Sequence, residues 1–330
     1  MKKLHEKSPC CHGRIIKFGN RRRQCVVCRK TWRVYQKKKG RKKKRESSKL
    51  IVRYLNHEIP SFYGMSRSKR TSKDTFKRRI RKSQLLFLKK THWPILPTEK
   101  PLIVVADAMV QIINHQIHTI YFILLRKPQE DKAIILKPLI RKGPEVAQGW
   151  YKAFKTIPLG TRSVIKVLVC DGHVGLISVS HKYGWLIQRC HFHHIARIQN
   201  YCSKFKLSRS KRLGKLIYRL TIKVLTEHDE ENIIQCLDKL RDIYNRAKSR
   251  ALKKVLSGFI KHYHDYRTYL YYPEFKLPRT SNAIESLIGG IRSLFHRARG
   301  FRTLSSITHW IHTFLKSKQR VTCNGFHQPN

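Results

Sequence analysis

Two runs of apolar residues, each followed at once by a single aspartate, constrain the fold of this chain most strongly. Residues 102–106 precede Asp107, and residues 165–170 precede Asp171. Short runs rich in valine and isoleucine are typical of strands buried on both faces of a sheet. An aspartate at such a position either starts a turn or brings a functional carboxylate to the edge of the sheet. The chain has 19 acidic residues against 72 lysines and arginines, which favours the second interpretation.

A third acid, Glu285, lies 114 positions after Asp171 (285 − 171). Three carboxylates suffice to hold two divalent cations about 3.5–4 Å apart, the arrangement that promotes in-line attack on phosphodiesters. Because carboxylate oxygens are hard ligands, the expected cations are Mg²⁺ or Mn²⁺. We call Asp107, Asp171 and Glu285 the acidic trio.

Three motifs surround these acids. Asp-Gly-x-x-Gly-Leu begins at Asp171, Gln-x-Cys-x-x-His spans residues 188–193, and Thr-x-Asn-x-x-Glu-Ser spans residues 280–286. In these motifs and their order, the chain resembles the DDE transposases of bacterial insertion sequences in the Mutator-like group. The resemblance covers roughly residues 100–315.

The resemblance implies that the acidic trio binds the catalytic metal ions. Three further residues are expected to position the DNA or to pack the active site: Cys190, His193 and Asn282. Joint zinc binding by Cys190 and His193 is the less favoured alternative. If residues 188–193 form a strand, the two side chains fall on opposite faces.

Residues 101–193 alternate between strand and helix patterns in the way that an RNase H-like α/β core with a mixed sheet requires. The expected strands cover residues 101–107, 116–125, 133–140, 163–171 and 185–190, and the expected helices cover residues 144–157 and 175–183. The apolar run 117–125 is too long to be exposed and is expected in the centre of the sheet. This arrangement puts Asp107 and Asp171 on neighbouring strands.

Residues 200–275 have the pattern of an all-helical insertion, which the resemblance also implies. Five apolar residues recur at spacings of three and four, as on one face of a helix: Ile233, Cys236, Leu237, Leu240 and Ile243. The end of the stretch carries tyrosines beside basic residues: Tyr263, Tyr266, Tyr269, Tyr271 and Tyr272. Such aromatic residues either stack on unpaired bases or belong to the core and surface of a helix.

Residues 282–299 predict one helix with two faces. The polar face carries residues spaced by three or four positions: Asn282, Glu285, Gly289, Arg292, His296 and Arg299. The opposite face is apolar: Ile284, Leu287, Ile288, Ile291, Leu294 and Phe295. Arg292 and Arg299 are therefore expected to bind DNA phosphates. Gly289-Gly290 either admits a DNA backbone closely or breaks the helix, at a cost of about 1 kcal/mol per glycine.

The formal charge of +53 indicates a polyanionic partner that relieves the self-repulsion of the chain. Double-stranded DNA is the expected partner, through neutralisation of its phosphates. A membrane partner is not expected, because the sequence lacks a run of about 20 apolar residues. Since no apolar segment follows the first lysines as in a secretory signal, we expect a cytoplasmic, nucleoid-associated protein. Nine cysteines in such a chain favour metal ligands or free thiols over disulfides.

Residues 1–46 predict a zinc-ribbon-like module with a basic tail. A regular Cys-x-x-Cys knuckle, Cys25 to Cys28, faces an irregular partner half in which Ser8 stands where a first cysteine is expected. The expected zinc ligands are Cys11, Cys25 and Cys28, completed by Cys10, His12 or His5. A degenerate ribbon without metal, or four unrelated thiols, is the alternative.

Residues 37–45 are almost continuously basic and predict a linker that grips phosphates. A helix is expected from residue 49 to residue 57, followed by a break at Pro60. Residues 71–82 begin with N-cap residues and continue as a basic helix. Its exposed cations are expected to contact DNA: Lys77, Arg78 and Arg81. The helix is compatible with the second helix of a helix-turn-helix, and a generic basic surface helix is the alternative.

The predicted domain order is a zinc-ribbon-like module (1–46), a helical DNA-binding region (47–98), the first part of an RNase H-like core (99–199), the helical insertion (200–276), the core helix with the third acid (277–316) and a tail (317–330). The predicted function is a DNA transposase that binds the element's terminal repeats and the target, as a homo-oligomer, and performs metal-dependent cleavage and strand transfer. The alternatives are a non-catalytic DNA-binding regulator and a metal-dependent nuclease that cuts without joining.

Overall fold

The computed structural model describes residues 7–8, 10–19, 22–33, 48–59, 72–98, 101–204, 208–298 and 303–323. The chain divides into two compact units, Met1–Glu46 and Ser47–Asn330. The predicted basic linker, residues 37–45, lies outside the described residues.

The first unit contains a small antiparallel sheet. Its strands are β1 (Ile15–Lys17), β2 (Arg22–Cys25) and β3 (Thr31–Arg33), in that order. Among the described residues of this unit, only Ser8 and Cys25 are buried. A module of this size has almost no apolar core, so its order must come from another source, as in metal-stabilised small domains.

Within the described residues, two helices precede the main sheet, α1 (Lys49–Leu55) and α2 (Lys73–Lys90). Ser72 caps α2, because its side chain accepts a hydrogen bond from the backbone N–H of Thr75. The helix begins near the predicted position and continues beyond residue 82, to Lys90. Residues 60–71, where the turn of a helix-turn-helix would lie, are outside the described part of the chain.

A seven-stranded mixed sheet forms the centre of the second unit. Its strands are β4 (Leu102–Ile113), β5 (Gln116–Arg126), β6 (Lys132–Ile135), β7 (Leu139–Lys142), β8 (Ile165–Cys170), β9 (Leu186–Arg189) and β10 (Arg320–Thr322). The order is β10-β6-β5-β4-β8-β9, and β7 also pairs with β5. The strands from β10 to β4 pair antiparallel, whereas β4, β8 and β9 run parallel.

Two strand predictions were wrong in detail. The predicted strand 133–140 is two strands, β6 and β7, because Pro138 lies between them and lacks the N–H that a continuous ladder needs. The predicted strand 101–107 does not end at Asp107. It continues to Ile113, because β4 pairs with β5 along its whole length while its parallel neighbour β8 stops at Cys170.

Helices cover both faces of the sheet. One face packs against α3 (Ala147–Lys155) and α5 (Val174–Tyr183). A short helix, α4 (Leu159–Ser163), lies between α3 and β8 in the chain. The other face packs against α1, α2, α10 (Asn282–Arg297) and α11 (Leu304–Lys318). Alternate residues of β4 enter the two cores, so the whole run is apolar. The predicted helix 144–157 is shorter than expected, since it begins at Ala147 and ends before Pro158.

The region between β9 and α10 is helical, as its pattern predicts. It contains α6 (His191–Lys204), α7 (Ser208–Thr226), α8 (Glu230–Arg246), α9 (Arg250–Tyr271) and a short 3-10 helix (Pro273–Phe275). These helices share a core of their own, to which the predicted apolar face of α8 contributes.

Helix α9 covers the edge of the sheet at β9. The Gln188 side chain donates to the carbonyl of Tyr266 at 2.9 Å and accepts from the N–H of Tyr269 at 2.9 Å. The hydroxyl of Thr268 donates to the carbonyl of Ile187. The helix thereby protects an edge strand that would otherwise offer unpaired backbone groups. Tyr266 and Tyr269 are buried here, so base stacking by these two tyrosines is excluded.

Within the described residues, no helix is both long enough and apolar enough to cross a membrane.

Candidate active site

Asp107 and Asp171 occupy equivalent positions on neighbouring parallel strands. The pairing of β4 with β8 extends to Val105 and Val169. Asp107 lies two residues further along β4, and Asp171 directly follows the last residue of β8. Because side chains alternate across a strand, Asp107 faces the same side as Val105. Val105 and Val169 both belong to the core beneath α10. The two aspartates therefore lie next to each other at the end of the parallel pairing, as the sequence predicts.

The motif that begins at Asp171 forms a tight connection from β8 to α5. Asp171 does start a turn, since its Oδ1 accepts from the N–H of His173 at 2.8 Å. Gly172 has a φ of 91°, which disfavours any other residue. Gly175 lies so close to α3 that a Cβ atom would meet the backbone N of Ala147 at 2.8 Å. The backbone conformation therefore explains the glycine at position 172, and close packing explains the glycine at position 175.

Glu285 reaches this site from the first turn of α10. The apolar face of α10 is buried as predicted, with Ile284 and Ile288 in the core beneath the sheet. The hydroxyl of Ser281 donates to Oε1 of Glu285 at 2.8 Å and holds the carboxylate in place. Glu285 remains partly exposed.

The charges of both other acids of the trio act on the Asp107 carboxylate. Burial, then the neighbouring charge of Asp171, raises the pKa of Asp107 to about 7, and Glu285 adds to the effect. A hydrogen bond of 2.7 Å from the N–H of Ala108 and the charge of His193 act in the opposite direction. Like charges held together in this way are relieved by a bound cation.

The carboxylates of the acidic trio are suitable ligands for divalent cations. Their oxygens are, however, too far apart for all three to bind a single ion. Within the described residues, the acidic trio does not form a group with all ligand atoms within 4.8 Å of one another. Two oxygens on one Mg²⁺ lie at most about 4.2 Å apart, given Mg–O distances near 2.1 Å. Binding of one cation by all three carboxylates therefore requires a movement of side chains.

Cys190 and His193 lie beside Glu285, and the strand assumed for residues 188–193 was wrong. Strand β9 ends at Arg189 and α6 begins at His191, so His193 lies in the first turn of a helix. The ladder pairs Cys190 once more, through its N–H to the carbonyl of Cys170, before the chain turns. The turn brings both side chains to the same side. Cys190, His193 and Glu285 offer ligand atoms that all lie within 4.8 Å of one another.

Within this group, the His193 imidazole lies beside the Glu285 carboxylate. Its Nδ1 lies 3.5 Å from Oε1 of Glu285. Interaction with the Cys190 sulfur, opposed by burial and reinforced by the charges of Glu285 and Asp171, raises the pKa of His193 to about 9. The backbone N–H of Ser281 donates to the Cys190 sulfur at 3.2 Å.

Glu145 is a fourth carboxylate near the site that the sequence did not indicate. Its Oε1 accepts from the indole N–H of Trp150 at 2.8 Å and lies 3.2 Å from Nδ1 of His173. Burial raises its pKa, and Asp171 contributes. The residue precedes α3 in a segment without periodicity, and only the close packing of α3 on α5 brings it here. The one available signal was its acidity in so basic a chain.

The predicted DNA-binding residues are exposed where the structure describes them. Arg292 lies on the outer face of α10, and Asn282 is exposed at the start of the helix. Arg299 lies outside the described residues. On α2 the three predicted cations are all exposed: Lys77, Arg78 and Arg81.

The two glycines of α10 have different surroundings, and the helix does not break at either. A Cβ on Gly290 would meet Cζ of Phe314 at 2.6 Å, so α11 requires this glycine. A Cβ on Gly289 would meet nothing within 4 Å. Of the two, only Gly289 lies on the exposed face.

The first unit brings four cysteines together, and we call them the cysteine cluster: Cys10, Cys11, Cys25 and Cys28. The sulfurs of Cys10 and Cys28 lie 3.2 Å apart, as do those of Cys11 and Cys25. The cluster can hold a metal ion, and the structure selects Cys10 as the fourth ligand. Hydrogen bonding to Ser8 lowers the pKa of Cys25 to about 6, whereas the neighbouring thiols raise the pKa of Cys28. His5 lies outside the described residues.

A scan against protein-family models found no match, and a comparison with the curated proteins also found none.

Proposed function

We propose that this protein is a DDE-type DNA transposase, which binds the ends of a mobile element and performs metal-dependent cleavage and strand transfer. The observation that carries the proposal is the position of the acidic trio. Two aspartates end the pairing of adjacent parallel strands, and Glu285 faces the same side from α10. Mutual repulsion within the trio supports a cation site.

The fold supports the same proposal. Three antiparallel strands, two further parallel strands and helices on both faces suit the RNase H-like core that the proposed function needs. The helices between β9 and α10 suit the insertion expected in this family. The family likeness rests on the three sequence motifs around the acids.

The chain's own residues would perform three tasks. Asp107, Asp171 and Glu285 would hold Mg²⁺ or Mn²⁺, which when bound would activate the nucleophile and stabilise the leaving oxygen. Ser281 orients the Glu285 carboxylate. Cys190 and His193 fix the start of α6 against α10, next to the position of the scissile strand.

DNA binding is supported by charge. The chain carries 72 basic residues, and exposed cations lie on α2 and on the outer face of α10. Contacts of this kind neutralise phosphates and position a duplex without reading its sequence. In the proposal the cysteine cluster, holding zinc, contributes recognition of the terminal repeats.

The test is a strand-transfer assay with purified protein, Mg²⁺ and DNA that carries the genomic ends flanking its gene. Joined products are expected. Alanine at Asp107, Asp171 or Glu285 should each abolish cleavage and joining while DNA binding persists. Asp238→Ala is a matched control, since Asp238 is an exposed acid on α8 that pairs only locally with Arg241.

The alternatives predict other results in this assay. Cut but unjoined DNA would indicate a nuclease. Tight binding without cleavage, in Mg²⁺ or Mn²⁺, would indicate a regulator. Near-normal activity of one alanine variant would remove that residue from the trio.

A further inference from the structure

Cys190, His193 and Glu285 form a second group of metal-ligand atoms at the edge of the acidic trio, and we call it the Cys–His–Glu group. Its ligand atoms all lie within 4.8 Å of one another. Cys190 is fully buried, whereas the side chains of His193 and Glu285 are 29% and 26% exposed. The group is therefore open to solvent on one side and closed on the other.

The donor chemistry differs from that of the acidic trio. A thiolate and an imidazole are softer ligands than carboxylates, and they select Zn²⁺ over Mg²⁺. Three protein ligands with one open position are the usual composition of an accessible zinc site. Ligand atoms on a tetrahedral zinc lie about 3.4 Å apart for Zn–N and Zn–O distances near 2.1 Å. The Nδ1–Oε1 distance of 3.5 Å between His193 and Glu285 already matches this separation.

Neighbouring groups hold these ligands in the orientation that a metal needs. The N–H of Ser281 donates to the Cys190 sulfur at 3.2 Å, and the Ser281 hydroxyl donates to Glu285 Oε1 at 2.8 Å. Hydrogen bonds of this kind orient metal ligands. Among the described residues, the buried Nδ1 of His193 has no hydrogen-bond partner.

We propose that the Cys–His–Glu group is an inhibitory Zn²⁺ site that withdraws Glu285 from the acidic trio. Glu285 belongs to both groups, so a zinc ion on Cys190 and His193 competes with Mg²⁺ for its carboxylate. On coordination the Cys190 thiol and the protonated His193 imidazole each release one proton to solvent. The inhibitory consequence rests on the proposed function, whereas zinc binding itself does not.

The first experiment measures metal binding by the full chain with Co²⁺ as a spectroscopic probe. Thiolate-to-cobalt absorption should report the cysteine cluster and, in addition, one site that depends on Cys190. His193→Ala should weaken that additional site by at least about tenfold. Cys236→Ser is the control, because Cys236 is a buried cysteine of the separate α8 core. It should leave both signals unchanged.

Cys190→Ser alters a buried residue and could unfold the protein. In that case His193→Ala alone tests the proposed zinc site. Thermal unfolding of each variant shows which of them is native. Equal Co²⁺ spectra for wild type and His193→Ala would overturn the proposed site.

The second experiment measures competition, with Mn²⁺ binding followed by electron paramagnetic resonance. Zn²⁺ should displace Mn²⁺ from the wild type at concentrations that leave Mn²⁺ on His193→Ala. Zinc binding without loss of Mn²⁺ would overturn the inhibitory role. A wild type that binds no Mn²⁺ even without zinc would instead contradict the proposed function, so the two failures are distinguishable.

Discussion

Asp107 is an ionisable group held where a negative charge is costly. Its pKa of about 7 lies above the reference value of 3.8. Between these values the folded protein keeps a proton that the unfolded chain has released. This contribution to stability is therefore complete below about pH 4 and is lost as the pH rises to 7.

Replacing Asp107 by Asn should remove the loss of stability that occurs as the pH rises from about 4 to 7. In metal-free buffer at pH 8, Asp107→Asn should raise the free energy of unfolding by about 1–2 kcal/mol, less than the full shift implies because the group is partly exposed. At pH 4.5 the two proteins should be nearly equal. Denaturant unfolding at both pH values measures the difference.

Magnesium supplies the control for this prediction. Mg²⁺ at pH 8 should stabilise the wild type more than Asp107→Asn, because a cation neutralises the charge that the variant lacks. Equal stabilisation of both proteins would mean that Asp107 does not face a bound cation.

At the residue scale, the sequence identified a functional side chain where an acid directly follows an apolar run. Asp107 and Asp171 follow apolar runs, so their positions could be derived from strand patterns alone. Glu145 could not, because its place depends on how closely α3 approaches Gly175. The contact of Cys190 with His193 was missed for a local reason. Because the chain enters a helix at His191 and does not continue as a strand to residue 193, the His193 side chain points to the side of Cys190.

At the element scale, alanine substitutions at the two adjacent glycines of α10 should have opposite effects on stability. Gly289→Ala should stabilise the protein by about 0.5–1 kcal/mol, because alanine is the better helix former and a Cβ there meets nothing within 4 Å. Gly290→Ala should destabilise it by about 1–3 kcal/mol, because its Cβ would press on Phe314. Thermal unfolding measures both effects.

DNA binding by the two glycine variants tests the prediction that a DNA backbone approaches the helix closely at Gly289. If a DNA backbone approaches α10 closely, Gly289→Ala should bind DNA more weakly although it folds more stably. Unchanged DNA affinity would show that this face does not meet the duplex closely.

The polar face of α10 also carries Arg292, one of the two arginines predicted to contact phosphates. The double variant Arg292→Ala, Arg299→Ala should lower DNA affinity and reduce its salt slope by about two. Stability and metal binding should persist, since neither arginine can hold a cation. A salt titration by fluorescence anisotropy measures the slope, and a wild-type slope would refute the assignment.

Leu287→Asp is the contrasting change on the apolar face of α10. Leu287 is buried, so an aspartate there introduces an unpaired charge into the core and should unfold the protein. Circular dichroism reports this directly, and a normally folded variant would contradict the assigned face.

At the element scale, periodicity predicted the type of element well and its limits less well. The apolar face of α10 and the helical insertion follow from spacings of three and four. The covering of β9 by α9 does not, since Gln188 and Thr268 are polar residues whose partners lie about 80 positions away in sequence (268 − 187 = 81). The pairing of β10 with β6 joins residues that lie 186 positions apart (320 − 134), and the sequence predicted only a tail at residues 317–330.

For the whole molecule, the first unit should depend on its cysteine cluster alone. Removal of zinc by a chelator, or Cys25→Ser, should abolish hydrogen-exchange protection of β1 to β3 and leave that of β4 and β5 intact, because the units have separate cores. Metal analysis should show about one zinc ion lost from this cluster per chain.

DNA recognition provides a second readout of the same change. Loss of the cluster should weaken binding to specific element ends more than binding to unrelated DNA. Protected strands in a chain free of zinc would show that the cluster is not what orders this unit.

The distance of 114 residues between Asp171 and Glu285 also governs when the acidic trio can exist during synthesis. A nascent chain that has emerged only as far as α9 carries both aspartates and most of the sheet, yet it lacks the helix that presents Glu285. The trio is completed only after α10 has left the ribosome and packed beneath β4, when the helices that cover β9 have already been made. An interrupted translation product that ends before α10 therefore carries an incomplete trio, although both of its aspartates are in place.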